Sequence, residues 1–156
     1  MIDRLLSACA ILWPAGKSPY MPGTVGSLVA MGIAYFLMPA LGQFWFWIAV
    51  LISALFGWLC AEIHERSTGK HDDKSVVIDE LSGLWLCYAF FDPSLYVLIA
   101  GFILFRFFDI LKPWPIGWVD RNIKGAFGTM LDDWLAGLAA ACCLYFADIA
   151  LRWINF

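Results

Sequence analysis

Five carboxylates fall at the ends of apolar runs in this chain, and that placement is its first chemical signal. Asp79 and Glu80 lie in the first half of 75–91 (SVVIDELSGLWLCYAFF), Asp109 closes 94–111, and Asp132 and Asp133 open the run 134–151. Ionisable groups beside or inside apolar segments are costly to keep there, so they point to function by default. Five of them at one boundary would repel strongly unless a cation sat among them. Oxygen ligands suit Mg²⁺ or Mn²⁺ rather than a thiol-seeking metal. Taken singly, each acid reads as plainly as a solvated interfacial charge or a partner for a lysine.

Arg106 and Asp109 are three apart in FRFFDILKPWPI and share a helix face; Lys112 follows three later, just before Pro113. A basic pair beside a carboxylate can hold a phosphate against a metal, arginine as a fork and lysine as a point charge. The competing arrangement is an Arg106–Asp109 ion pair with Lys112 reaching out to lipid phosphates. The segment PYMPGTVGSL (19–28) brings glycines and hydroxyls to the start of the first apolar run. Free amides at a helix N-terminus attract an anion, and Thr24 and Ser27 can cap or donate there. GAFG at 125–128 is a second loop suited to close approach. His64 and His71 occupy a charged loop, HERSTGKHDDK, where a histidine is usually solvated; His71 with Asp72 is a weaker addition to the acidic set.

Three other patterns carry little. The cysteines at 9, 60, 87, 142 and 143 lie mostly in apolar runs without a CxxC, as small hydrophobes do. CAEIHER (60–66) has the spacing of a cysteine phosphatase loop but contains Glu62 and Glu65 and no glycine, so it cannot wrap a phosphate in amides. Gly16-Lys17-Ser18 resembles the end of a Walker A loop, but position 11 is Ile and Pro19 blocks the helix that must follow.

The elements that must position the carboxylates follow from composition. The chain has 156 residues, 62% hydrophobic and 15% charged, with a mean hydropathy of +0.76. Soluble domains carry about 25% charged residues, so an ordinary cytosolic, fibrous or disordered protein is excluded. A net charge of −3 without a basic stripe gives nucleic acid nothing to bind. A bilayer core of about 30 Å needs spans of roughly 17 to 25 residues. Runs 24–41 and 43–61 qualify outright, 94–111 and 134–151 qualify with charges near their ends, and 75–91 is short or half-embedded. Residues 5–13 are too few to span and read as an interfacial helix.

The expected fold is therefore an all-α integral membrane protein with about five short transmembrane helices plus an N-terminal interfacial helix. Under that alternation Arg4, Lys17, Arg66, Lys70, Lys74, Arg106, Lys112, Arg121 and Lys124 fall at one face and only Arg152 at the other. The positive-inside rule makes the first face cytoplasmic, and all five carboxylates arrive at it. Gly137 with its neighbouring alanines suits close helix packing and permits a dimer without requiring one.

The blocks PGTVGSL, HDDKSVVIDELSG and FRFFDILKPWPIGWVDRNIKGAFGTMLDDWLAG resemble the phosphatidylglycerophosphatase A family in order and spacing, over roughly residues 18 to 140. The resemblance implies a single membrane-embedded phosphatase domain over 1–156 in the bacterial inner (cytoplasmic) membrane. It implies a Mg²⁺-dependent enzyme that converts phosphatidylglycerophosphate to phosphatidylglycerol in phospholipid biosynthesis. Carried over position by position, it covers Thr24, Ser27, Asp72, Asp79, Glu80, Arg106, Asp109, Lys112, Asp120, Asp132 and Asp133. The expected reaction is metal-assisted hydrolysis of a phosphomonoester, with metal on Asp79, Glu80, Asp109, Asp132 and Asp133. Asp79, Glu80, Arg106, Asp109, Lys112 and Asp133 are the expected catalytic set, and Thr24, Ser27, Arg106 and Lys112 would meet the phosphate. Water and an aspartate both remain open as nucleophile.

Other readings are a different lipid-headgroup phosphatase or phosphotransferase, a small cation carrier, or a scaffold. The chain lacks the paired-histidine signature of phosphatidic acid phosphatases, and its only two histidines share one loop. It also lacks the DG-x-x-A-R run of alcohol phosphatidyltransferases. A carrier would want its carboxylates near mid-bilayer, and a scaffold would not need five on one face.

Overall fold

A computed structural model describes residues 2–69 and 73–154, without the side chains of 152 and 154. His71, Asp72 and Lys70 lie outside the described residues. Six α-helices follow one another: α1 (Ile2–Ala10), α2 (Pro22–Thr68), α3 (Ile78–Tyr88), α4 (Leu95–Leu111), α5 (Ile116–Asn122) and α6 (Ala126–Ile154). No strand occurs among the described residues, so the chain is all-α.

Local chemistry sets the helix ends. Pro22 occupies the first turn of α2, where its missing amide costs nothing, and Gly69 ends that helix in the left-handed region at φ 67°. Ser94 caps α4 by accepting from the Val97 amide at 3.2 Å, and Pro113 prevents the helix from continuing. Asp79 and Glu80 sit in the first turn of α3, where the helix dipole favours negative charge.

The two runs read as separate spans, 24–41 and 43–61, both lie on α2, which breaks at Gly42 (φ 73°, ψ 167°). Contacts along α3 show that the chain reverses there. A Cβ on Gly26 would lie 2.7 Å from the Val77 Cβ, and one on Gly57 would lie 3.3 Å from Ile78. At the other end of α3, Gln43 donates to the Ala89 carbonyl. Residues 22–41 and 43–68 therefore run antiparallel on either side of α3, with Gly42 as the turn.

The short helix α3 is the centre of the molecule. Every residue of it except Leu86 is buried. Three of its polar side chains are matched: Trp85 donates to the Ala30 carbonyl at 2.9 Å, Tyr88 to the Leu98 carbonyl at 2.7 Å, and Ser82 accepts from the Trp134 indole at 2.9 Å. At about 1.5 Å per residue its 11 residues rise about 16 Å, well short of a bilayer core. Helix α4 has 17 residues and α6 has 29. Helix α6 begins at Ala126, after Gly125 turns the chain at φ 80°, so Asp132 and Asp133 lie in its second turn rather than ahead of it.

Two helices, α2 and α6 as far as Leu151, are long and apolar enough to cross a membrane, and only 28% of each apolar stretch is buried inside the molecule. Phe36, Phe44, Leu55, Ile103 and Phe146 are among the large apolar side chains on the outside. Apolar material that would be core in a soluble domain is here turned outward.

Candidate active site

The first turns of α3, the end of α4, α5 and the start of α6 enclose a cavity of about 590 Å³. Asp79, Glu80, Asp109, Asp132 and Asp133 all line it, together with Asp120 and Lys112. Helices α3 and α6 bring the innermost three together: Asp79, Glu80 and Asp133 are all buried, each offering a carboxylate oxygen within 4.8 Å of the others. Close crossing of the two helices makes this convergence available, since Gly83 and Gly137 face one another without side chains. A Cβ on Gly137 would collide with the Gly83 carbonyl oxygen.

Lys112 enters from the end of α4. Its backbone is left-handed (φ 43°, ψ 56°), a conformation that is strained for a residue with a Cβ. Its ammonium donates to Asp120 Oδ1 and to Asp132 Oδ2, each at 2.5 Å. Burial works against that charge, but the hydrogen bonds it donates to Asp120 and Asp132 prevail and hold Lys112 above the ordinary lysine range.

Arg106 takes a different place. It pairs with Asp109 at 2.5 Å and lies 3.8 Å from Glu80, and it does not line the cavity. Ser27, within α2, accepts from Arg106 at 3.4 Å while donating to the Gly23 carbonyl at 2.8 Å. A Cβ on Gly23 would collide with a Glu80 oxygen and come within 3.2 Å of the Arg106 guanidinium. Ser27 and Arg106 thus form a layer behind Glu80 and Asp109, while Lys112 meets the open space; neither Thr24 nor Ser27 lines the cavity. The glycine-rich start of α2 serves close approach to this layer.

Among the described residues, four buried polar atoms have no hydrogen-bond partner: Thr24 Oγ1, Glu80 Oε2, Arg106 Nε and Asp132 Oδ1. Two of these are carboxylate oxygens of the cavity. Leaving such an oxygen buried and unpaired is costly. Oxygen donors alone, clustered and partly unsatisfied, fit a hard divalent cation.

Sequence reasoning passed over three parts of this region. Thr129, next to the GAFG loop, lines the cavity, as do Lys74 and Lys124, which served only as topology markers. Asp73 also lines it, and its carboxylate bonds His64 at 3.3 Å and the Ser75 amide at 3.0 Å. Partial burial opposes charge on Asp73, but the Ser75 amide and His64 carry its carboxyl below the usual range. His64 in turn meets Ser7 of α1 at 2.7 Å. The Ser7–His64 contact alone spans 57 residues of sequence, and no local spacing could have revealed it.

A family model described as Phosphatidylglycerophosphatase A matches residues 8–148. The chain is 39% identical over 139 residues to phosphatidylglycerophosphatase A of Escherichia coli strain K12, covering 88% of this chain and 80% of the relative. It is 38% identical over 126 residues to phosphatidylglycerophosphatase A of Haemophilus influenzae, covering 80% and 77%. A Bacteroides thetaiotaomicron protein provisionally named phosphatidylinositol-3-phosphatase is 36% identical over 146 residues, covering 90% and 89%. No solved structure matches significantly. With the family model spanning most of its length and relatives matched over most of theirs, the chain belongs to the phosphatidylglycerophosphatase A family.

Proposed function

We propose that this protein is a Mg²⁺-dependent lipid phosphatase that hydrolyses the terminal phosphomonoester of phosphatidylglycerophosphate to yield phosphatidylglycerol and inorganic phosphate. The observation that carries the reading is the buried trio Asp79, Glu80 and Asp133 inside a cavity, in a chain of this family. Asp79, Glu80 and Asp133, with Asp109 and Asp132 beside them, would hold the metal. A Mg²⁺ bound there would polarise the phosphoryl oxygens and lower the pKa of a water molecule.

The chain's own residues divide the remaining work. Lys112, fixed between Asp120 and Asp132, presents positive charge to the phosphoryl group. Arg106 neutralises Asp109 and Glu80 from behind and keeps their carboxylates aimed at the cavity. Ser27 steadies Arg106.

We place the whole chain, 1–156, as one multi-pass domain in the bacterial inner membrane with the cavity facing the cytoplasm. The two halves of α2, then α4 and α6, would cross, and α3 would be a buried half-span among them, giving about five membrane-embedded helices. The outward apolar surface and the gathering of basic residues around the cavity end support this placement. The lipid tails would stay in the bilayer while the headgroup reaches the carboxylates.

Phosphate release from defined lipids by purified protein is the test. Wild type should act on phosphatidylglycerophosphate, stop on chelation and recover with Mg²⁺. Asp79→Asn, Glu80→Gln, Asp109→Asn and Asp133→Asn should each lower the rate by about 10²-fold or more, the scale of losing one preorganised electrostatic contact. Asp3→Asn should be close to silent. Activity that survives EDTA and three of these four substitutions would overturn the metal-phosphatase reading. The Bacteroides relative favours a second substrate, phosphatidylinositol 3-phosphate, and the same assay with that lipid decides between the two headgroups.

A further inference from the structure

We propose that Lys74 and Lys124 form a second phosphate subsite at the mouth of the acidic cavity, which grips the phosphodiester of the lipid headgroup while the terminal phosphomonoester enters among the carboxylates. The inference rests on the proposed function, and it names the residues that select a headgroup with two phosphates.

The charge balance of the cavity demands such a feature. Seven carboxylates line it against three lysines. One of those lysines, Lys112, is already committed to Asp120 and Asp132. A headgroup bearing a diester and a monoester phosphate would therefore approach a strongly negative opening. A metal deep among Asp79, Glu80 and Asp133 answers the monoester, but the diester lies a glycerol unit further out. It needs positive charge near the rim.

Lys74 and Lys124 are the remaining basic residues of the lining, and both are exposed. Among the described residues neither has a carboxylate partner. Lys124 donates only to the Asp120 backbone carbonyl, at 3.3 Å, just beyond α5. That bond orients the side chain without neutralising it. Lys74 stands in a turn whose neighbouring acid, Asp73, is held by His64 and the Ser75 amide. The two lysines come from separate segments of the lining, one before α3 and the other before α6. Two flexible ammonium groups suit a diester, whose single negative charge is shared by two non-bridging oxygens.

The test separates the diester from the monoester. Lys74→Ala, Lys124→Ala and the double variant are assayed with wild type, all with Mg²⁺, on phosphatidylglycerophosphate. Dioctanoyl phosphatidylglycerol, which keeps only the diester, and inorganic phosphate serve as competing inhibitors. The double variant should raise KM about tenfold with kcat within about twofold, and weaken dioctanoyl phosphatidylglycerol about tenfold, the scale of one charge-assisted contact. Inhibition by inorganic phosphate should stay unchanged, and Lys→Arg variants should recover most of the loss. Direct calorimetric titration of dioctanoyl phosphatidylglycerol should show the same tenfold loss, whether or not the wild type turns over this substrate. Absence of turnover alone would therefore strike the proposed function and leave the subsite to be judged by binding. Unchanged binding of the diester, or equal weakening of both inhibitors, would overturn the subsite.

Discussion

A Cβ on Gly83 would stand 2.6 Å from the carbonyl oxygen of Asp133. The backbone of α3 therefore touches the backbone of α6 at the residue whose carboxylate completes the buried trio. Gly83→Ala or Gly137→Ala should push the helices apart and move Asp133 away from Asp79 and Glu80. A displacement of about 1 Å can cost 10²-fold in rate, so phosphate release should fall by that order while the protein still inserts and purifies. Gly32 is the control, since a Cβ there meets nothing within 4 Å. Gly32→Ala should keep activity and raise unfolding stability by roughly 0.5–1 kcal/mol through helix propensity. Equal activity in all three variants would show that the crossing does not position the site.

Lys112 offers a separation of strain from charge. Its left-handed backbone costs about 1–2 kcal/mol for a residue with a Cβ, and glycine would relieve that. Lys112→Gly should therefore unfold later than Lys112→Met, by about 1 kcal/mol in detergent. Both should lose phosphate release by about 10²-fold or more, because Asp120 and Asp132 lose their shared ammonium in each. Activity recovered by glycine would mean that the loop geometry matters and the charge does not.

The carboxylate set was legible because charges beside apolar runs are rare, and Asp79, Glu80, Asp109, Asp132 and Asp133 do line one cavity. The reversal at Gly42 was also legible, as two uncharged runs too long for one span. Arg106 was harder. Its spacing to Asp109 shows that they share a face but not whether that face meets open space, and the answer came from α2 packing behind it. The same packing sets Ser27 against Arg106 instead of at the cavity, which Thr24 does not line either. The early start of α6 was hidden because its first turn, AFGT, carries no apolar periodicity. Lys74 and Lys124 passed as topology markers, since only the folded cavity shows that they share a rim.

The Asp73 carboxylate should contribute stability with a defined pH window. Its native pKa lies below the ordinary aspartate value of 3.8, held down by the Ser75 amide and His64 against partial burial. A depressed carboxyl stabilises fully above the unfolded value, and that contribution is lost as pH falls through the lower native one. Wild type should thus be more stable than Asp73→Asn at pH 5, within about 1 kcal/mol for a partly solvated pair. The gap should close toward pH 2. A gap that widens on acidification would contradict the pairing; thermal unfolding of both proteins across this range measures it.

The placement of the cavity on the cytoplasmic side has its own test. Arg121 lies on α5 at the cavity end, while Asp92 lies in the connection between α3 and α4 at the other end, near the Gly42 turn. No cysteine lines the acidic cavity, so replacing all five by alanine should leave phosphate release within about tenfold of wild type. In that background Asp92→Cys should react with an impermeant thiol reagent in intact cells, and Arg121→Cys should react only after the inner membrane is breached. Basic residues are retained on the cytoplasmic side during insertion, and they crowd the Arg121 end. Labelling of Arg121→Cys in intact cells, with Asp92→Cys shielded, would invert the protein and put the carboxylates on the periplasmic face.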